Sequence, residues 1–63
     1  MSIQDNNAVK MRIAIEGVEL TYQPIFSLVA ELNLQGYSAD ATSLQTILDS
    51  LKLLITTIKD DVA

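Results

Sequence analysis

The sequence predicts a small α+β fold, in which an N-terminal β-hairpin, or a single strand, precedes a helical hairpin and oligomerisation completes the core. Two observations lead to this prediction. Apolar residues alternate with other residues from Val9 to Ile15 and again from Val18 to Tyr22, whereas from Thr42 to Val62 they recur at spacings of three and four. The first pattern is typical of half-buried strands and the second of one face of a long helix.

The chain has 63 residues, which is enough for one domain. We expect a disordered tail over residues 1–8, because Met1 to Asn7 is polar around a lone Ile3, and a single domain over residues 9–63. So short a chain buries only about 60 % of its unfolded surface, and it usually needs a disulfide, a metal or a partner chain. With neither cysteine nor histidine in the chain, a partner chain is the remaining source of stability.

The composition also limits the function. Without cysteine and histidine there is no thiolate nucleophile, Ser-His couple or ordinary zinc site, and the eight carboxylates match no calcium or phosphate loop. We therefore predict a protein that is not an enzyme and has no cofactor. The net charge of −4 argues against sequence-independent nucleic-acid binding. No apolar run is long enough to span a bilayer, so we expect no membrane partner and a soluble, cytoplasmic protein.

The two alternating runs change phase at Gly17, as a two-residue turn at Glu16 and Gly17 would require. That turn would bring all the apolar side chains of both strands to one face. The competing interpretation is a helix from Ala8 to Tyr22, within an all-α three-helix subunit, because apolar residues in this stretch also occur at spacings of four, three and four. Gly17 and the β-branched residues favour the hairpin.

Pro24 suits the first turn of a helix and Gly36 suits the position just after its end, so the first helix is predicted over residues 24–35. Tyr37 can fold back on the last turn, as in a Schellman motif. The second helix is predicted from Thr42 to Val62. The sequence does not fix the first residue of this helix to better than one turn, because residues 38 and 40 could also cap its N-terminus.

Lys10 and Arg12 lie on the outer side of the predicted strand, ahead of a helix, the turn Gly36-Tyr37-Ser38 and a second helix. This layout, over about residues 9–55, resembles the ribbon-helix-helix DNA-binding proteins. The resemblance implies that two chains pair their strands and that Lys10, Arg12 and Ala14 face the major groove.

Helix lengths predict self-association. The first predicted helix, of about 12 residues, spans roughly 18 Å, and the second, of about 22 residues, spans roughly 33 Å. The far half of the second helix would therefore extend beyond the first and expose apolar side chains, which normally marks an interface. We predict a homo-oligomer, most simply a dimer, whose interface contains Phe26, Leu34, Leu53, Leu54, Ile55, Ile58 and Val62.

From these observations we expect a small oligomeric interaction protein, an adaptor or inhibitor that acts by binding another protein. One alternative is a ribbon-helix-helix transcriptional regulator that binds DNA through Lys10 and Arg12. A second alternative is an oligomer that sequesters a small ligand between its subunits.

Overall fold

The structure, a computed structural model, describes residues 3–62, and this part of the chain is an all-helical hairpin. Helices α1 (Ile3–Glu19) and α2 (Tyr22–Leu34) follow each other as one bent helix, and α3 (Ser38–Val62) packs against both. The Cα atoms extend over 53 × 16 × 9 Å. The bent helix and α3 thus lie side by side in a layer that is one helix thick.

The predicted β-hairpin is wrong, because residues 9–19 and Tyr22 are helical and no strand occurs within residues 3–62. A three-helix subunit does not describe the chain either, since α1 and α2 form one bent helix. An isolated two-stranded hairpin is marginal in water, whereas a helix here buries a stripe against α3. That stripe runs at spacings of three and four through Ile15, Val18, Tyr22, Ile25, Val29 and Leu32. Met11 continues the same spacing toward the N-terminus but is 44 % exposed.

Helix α1 begins at Ile3, within the segment 1–8 for which the sequence predicts a tail. The first two residues of that predicted tail lie outside the described residues.

Pro24 explains the bend between α1 and α2. A helical proline donates no hydrogen bond, and its ring clashes with the carbonyl four residues earlier, which is that of Leu20. At this point the amide and the hydroxyl of Thr21 both donate to the carbonyl of Val18, at 2.9 and 2.6 Å. The Ile25 amide then donates to the Thr21 carbonyl at 3.2 Å and regular helix resumes. Helix α2 consequently begins at Tyr22, two residues before the predicted start.

The turn between α2 and α3 is the Schellman motif that the sequence predicts. The Tyr37 amide donates to the Leu32 carbonyl at 2.8 Å, and the Gly36 amide donates to the Asn33 carbonyl at 3.2 Å. Gly36 has a φ of 89°, which L side chains rarely adopt. The chain reverses within three residues, and α3 starts at Ser38, about one turn before Thr42.

The two glycines give a matched pair of predictions. Gly36→Ala should lower the free energy of unfolding by about 1 to 2 kcal/mol, because alanine is strained at a positive φ. Gly17→Ala should raise it by about 1 kcal/mol, because Gly17 lies inside α1 and its added Cβ would meet no atom within 4 Å. Urea denaturation followed by circular dichroism measures both changes. A loss of stability in Gly17→Ala would contradict the helical assignment of this residue.

The core is a single narrow seam between the bent helix and α3. Five side chains are buried, at 1 to 6 % exposure, and we call them the seam: Ile15, Val29, Ala41, Leu48 and Ile55. The three on α3 are seven residues apart, as at the contact positions of a two-helix coiled coil. With no third layer, each helix buries only this one stripe. None of the described helices is long and apolar enough to cross a membrane.

Candidate functional site

The surfaces available for function are the two long flanks of the hairpin, one on each side of the seam. On a helix, a residue four positions after a seam residue is turned to one side, and residues three after or one before it are turned to the other. This rule separates a polar flank from an apolar flank. Contacts between α3 and the bent helix identify the side on which each set lies.

The polar flank consists of residues four positions after a seam contact. Lys59 Nζ of α3 lies 2.6 Å from Glu19 Oε2 of α1, and the pair joins the two helices across the seam. Asn33 of α2 and Gln45 of α3 line the same small cleft on this side. Lys52 Nζ lies 5.6 Å from the centre of the Tyr22 ring, within the range of a cation–π interaction.

The ion pair on this flank changes the titration of Lys59. The hydrogen bond from its ammonium group to Glu19 raises the pKa of Lys59 above its ordinary value of 10.5, with a further contribution from the charge of Glu19. A raised lysine pKa contributes stability that is present below the ordinary value and is lost as the pH rises through the raised one. Because the pair is exposed to solvent, the contribution is small.

The opposite side of the hairpin carries no charged side chain over most of its length. Six of its residues are half-buried against the seam, while three are exposed: Leu28 at 52 %, Ile47 at 64 % and Leu54 at 55 %. Large apolar side chains clustered at one surface are typical of an interaction site. We define the apolar flank as Val18, Ile25, Leu28, Leu32, Leu44, Ile47, Leu51, Leu54 and Ile58.

A cleft of about 520 Å³ opens where α3 ends against α1. The Glu19 and Lys59 ion pair and Arg12 line its polar side, and Ile15 and Val62 line its apolar side. Most of these side chains are exposed, so the cleft is open to solvent. It lies on the polar side of the seam. Sequestration of a small ligand between subunits stays a prediction.

The ribbon-helix-helix layout is wrong for this chain, because Lys10 and Arg12 lie on α1 and no strand presents them outward. Both side chains are exposed. Arg12 lines the cleft at the end of α3, whereas Lys10 does not. Without paired strands, the resemblance no longer supports major-groove reading by these residues, and DNA binding through them stays a prediction.

The structure distributes the predicted interface residues over several surfaces. Ile55 is 6 % exposed because α1 covers the far half of α3, so the overhang that motivated the prediction does not exist. Ile58 and Leu54 belong to the apolar flank. Leu53 and Leu34, at 70 and 81 % exposure, lie on the outer faces of their helices. Phe26 is 51 % exposed and lies seven residues before Asn33, on the same side of α2. Val62 lines the cleft.

Sequence reasoning did not include Leu28 and Ile47 among the predicted interface residues, although a signal that places both on the apolar flank was available. Each directly precedes a seam residue, Val29 or Leu48, and therefore falls beside the seam on the same side as Leu54. Recognising that Leu28 lies on the same side of the hairpin as Ile47 requires the register of α2 against α3, which the strand interpretation of residues 9–22 concealed.

Tyr22 gives a prediction about the seam. Its hydroxyl is buried and has no hydrogen-bond partner in the described part of the chain. A buried unpaired polar group costs about 1 to 3 kcal/mol, so Tyr22→Phe should raise the free energy of unfolding and leave the ring beside Lys52 in place. Thermal denaturation of the two proteins measures this difference. A lower melting temperature for Tyr22→Phe would mean that the hydroxyl is paired in solution.

The fold and the site define a helical hairpin with one apolar and one polar flank. Among the side chains that the structure describes, those of residues 7–62, no three acidic groups come close enough together to hold a metal ion. Comparison with protein families, curated proteins and solved structures yields no match to this chain.

Proposed function

We propose that the chain is a small, non-catalytic interaction protein, an adaptor or inhibitor that acts by packing its apolar flank against another polypeptide. The observation that supports this proposal is the exposure of Leu28, Ile47 and Leu54 on one side of the hairpin. Covering three such side chains removes apolar surface from water at about 25 cal/mol per Å². The same proposal places the protein in the cytoplasm, as the absence of cysteine favours.

A helical partner fits this surface best. The half-buried residues Leu44, Leu51 and Ile58 follow one another at intervals of seven, and Ile47 and Leu54 stand between them. Such a row forms holes that accept the side chains of a helix lying alongside. Over its length on α3, the row spans about 21 Å, which is about four helical turns.

Photo-crosslinking in the native host tests the proposal. A benzophenone amino acid at Leu28 should give polypeptide adducts, because this residue lies in the apolar flank. The matched control carries the same group at Ser27, which is exposed on the neighbouring surface of α2. Adducts from position 27 alone, or from neither position, would contradict the proposal. Mass spectrometry of the adducts identifies the polypeptide that is bound.

A further inference from the structure

We propose, as an extension that rests on the proposed function, that the polypeptide covering the apolar flank is a second copy of this chain. Two hairpins pack flank to flank as a four-helix bundle, with α3 of one copy antiparallel to α3 of the other. The two-fold axis passes close to Leu51. Three observations support this arrangement: the exposed area of the hairpin, the spacing of the apolar side chains and the distribution of charge.

The exposed area matches what a dimer needs. The hairpin exposes 4868 Å² of surface. A compact monomer of its 6.9 kDa mass exposes about 4,000 Å², so the hairpin carries an excess of about 900 Å². A standard protein interface buries about 800 Å² on each partner. Covering one flank with a second copy therefore brings the exposed area per chain down to that of an ordinary small domain.

The row of apolar side chains on α3 can pack against the same row on a second copy. An isologous contact requires that each residue meet a counterpart on the same surface of the other copy. With the axis close to Leu51, antiparallel packing brings Ile47 to within about one residue, or roughly 1.5 Å along the helix, of the level of Leu54 of the partner subunit. The same operation brings Leu44 against Ile58 of the partner subunit, seven residues from the axis on either side. Every large apolar side chain of this row thus meets another.

The distribution of charge favours a second copy over a charged partner. The apolar flank carries no ionisable side chain from Val18 to Ile58, so it faces its own copy without like-charge repulsion. A partner with charged groups on this surface would bury them unpaired, which is costly. The row on α3 ends at Asp40 and Asp61, both exposed and both one position before the seam register. In the antiparallel dimer Asp40 lies near Asp61 of the partner subunit, so the like-charge repulsion that the contact does carry is confined to the two ends of this row.

Cysteine cross-linking tests the pairing and its direction, because the chain contains no cysteine of its own. Ile47→Cys and Leu54→Cys alter exposed residues, so the hairpin should stay folded. An oxidised mixture of the two variants should form disulfide-linked dimers. Each variant alone should not, because the two identical residues are about 10 Å apart along the bundle, beyond the roughly 7 Å that a disulfide spans between Cα atoms. Self-linking of either variant as readily as the mixture, or no linked dimer in the mixture, overturns the proposal.

Charge reversal at the ends of α3 gives a second test of the direction. Asp61→Lys replaces a repulsive contact with an ion pair to Asp40 of the partner subunit, and it should tighten the dimer by about two- to ten-fold at low salt. Asp60→Lys is the matched control, since it makes the same favourable change at the C-terminal end of a helix but lies away from the flank. Equal dissociation constants for the two variants would argue against antiparallel packing.

Sedimentation equilibrium measures the association directly. The wild-type protein should be a dimer at micromolar concentration. Ile47→Glu should weaken the dimer by about 100-fold or more, because it buries a carboxylate in the contact. Leu53→Glu places the same charge on the outer face of α3 and should leave the dissociation constant nearly unchanged. Equal effects of the two substitutions overturn the proposed interface.

The outcomes separate this inference from the proposed function. A folded wild-type monomer that still forms adducts with a different protein from position 28 overturns the second copy as the partner, while the proposed function stands. A monomer without adducts overturns both. A dimer that Ile47→Glu dissociates, with only self-adducts from position 28, supports the second copy and the apolar flank as a polypeptide-binding surface, and it excludes this flank as the place where an adaptor or inhibitor binds a different protein.

Discussion

Replacing Leu48 with alanine should lower the free energy of unfolding by about 3 kcal/mol or more. Leu48 is 1 % exposed and lies at the middle of the seam, so the truncation leaves a cavity that two helices cannot close. A loss of this size is a large fraction of what so small a core provides. We therefore expect partial unfolding of the variant at 25 °C, measured as reduced ellipticity at 222 nm.

Leu53→Ala removes the same atoms from α3 and serves as the control. Its side chain is 70 % exposed, so the substitution should change stability by no more than about 0.5 kcal/mol. Equal losses in the two variants would mean that the packed face of α3 has been assigned to the wrong residues.

Ile55→Asp should abolish the helical fold at every protein concentration. Ile55 is 6 % exposed beneath α1, and an aspartate at this position would be buried without a partner. The cost of burying an unpaired carboxylate exceeds the total stability of a domain of this size. Far-ultraviolet circular dichroism across a dilution series should show an unfolded chain throughout.

Its neighbour Leu54 provides the comparison. Leu54→Asp leaves the seam intact and alters only an exposed residue of the apolar flank, so the hairpin should stay helical throughout the dilution series. Ile55→Asp should be unfolded throughout the same series. If the two variants behave alike, the seam and the flank are not separate surfaces.

The features of this fold that depend on local chemistry could be predicted from the sequence. Gly36 and Tyr37 supply the left-handed residue and the backbone contact of the Schellman turn, and Pro24 fixes a helix start within two residues. The long helix α3 follows from a repeat sustained over many turns. Each of these signals lies within a few residues of the feature that it specifies.

The N-terminal third could not be assigned in the same way, because two patterns share its residues. Val9, Ile13 and Leu20 complete the alternation of a strand, yet in the structure they are exposed at 37, 61 and 77 %. Met11, Ile15 and Val18 fit either pattern. The helix prevails because its stripe continues past Pro24 in the same register and packs on α3, and this is a contact between residues far apart in sequence.

The candidate site was predicted only in part for the same reason. The periodicity of α3 alone was enough to predict that Leu54 and Ile58 belong to the candidate site. Placing Ile55 inside the hairpin required knowing that α1 returns to cover it. Leu28 could be recognised only once Val29 was known to be buried.

The two ends of the hairpin should form their helix–helix contacts at different rates, because the Gly36 turn connects the helices at one end only. Residues beside the turn meet after a loop of only a few residues, which closes within about 100 ns, whereas the Glu19 and Lys59 contact joins residues 40 apart in sequence. We expect the contacts between the helices to form first beside the turn and then progressively toward the open end. Helix α1 should therefore pack against α3 last and separate from it first. Amide hydrogen exchange should accordingly be slowest in α2 and the facing turns of α3, and fastest along α1.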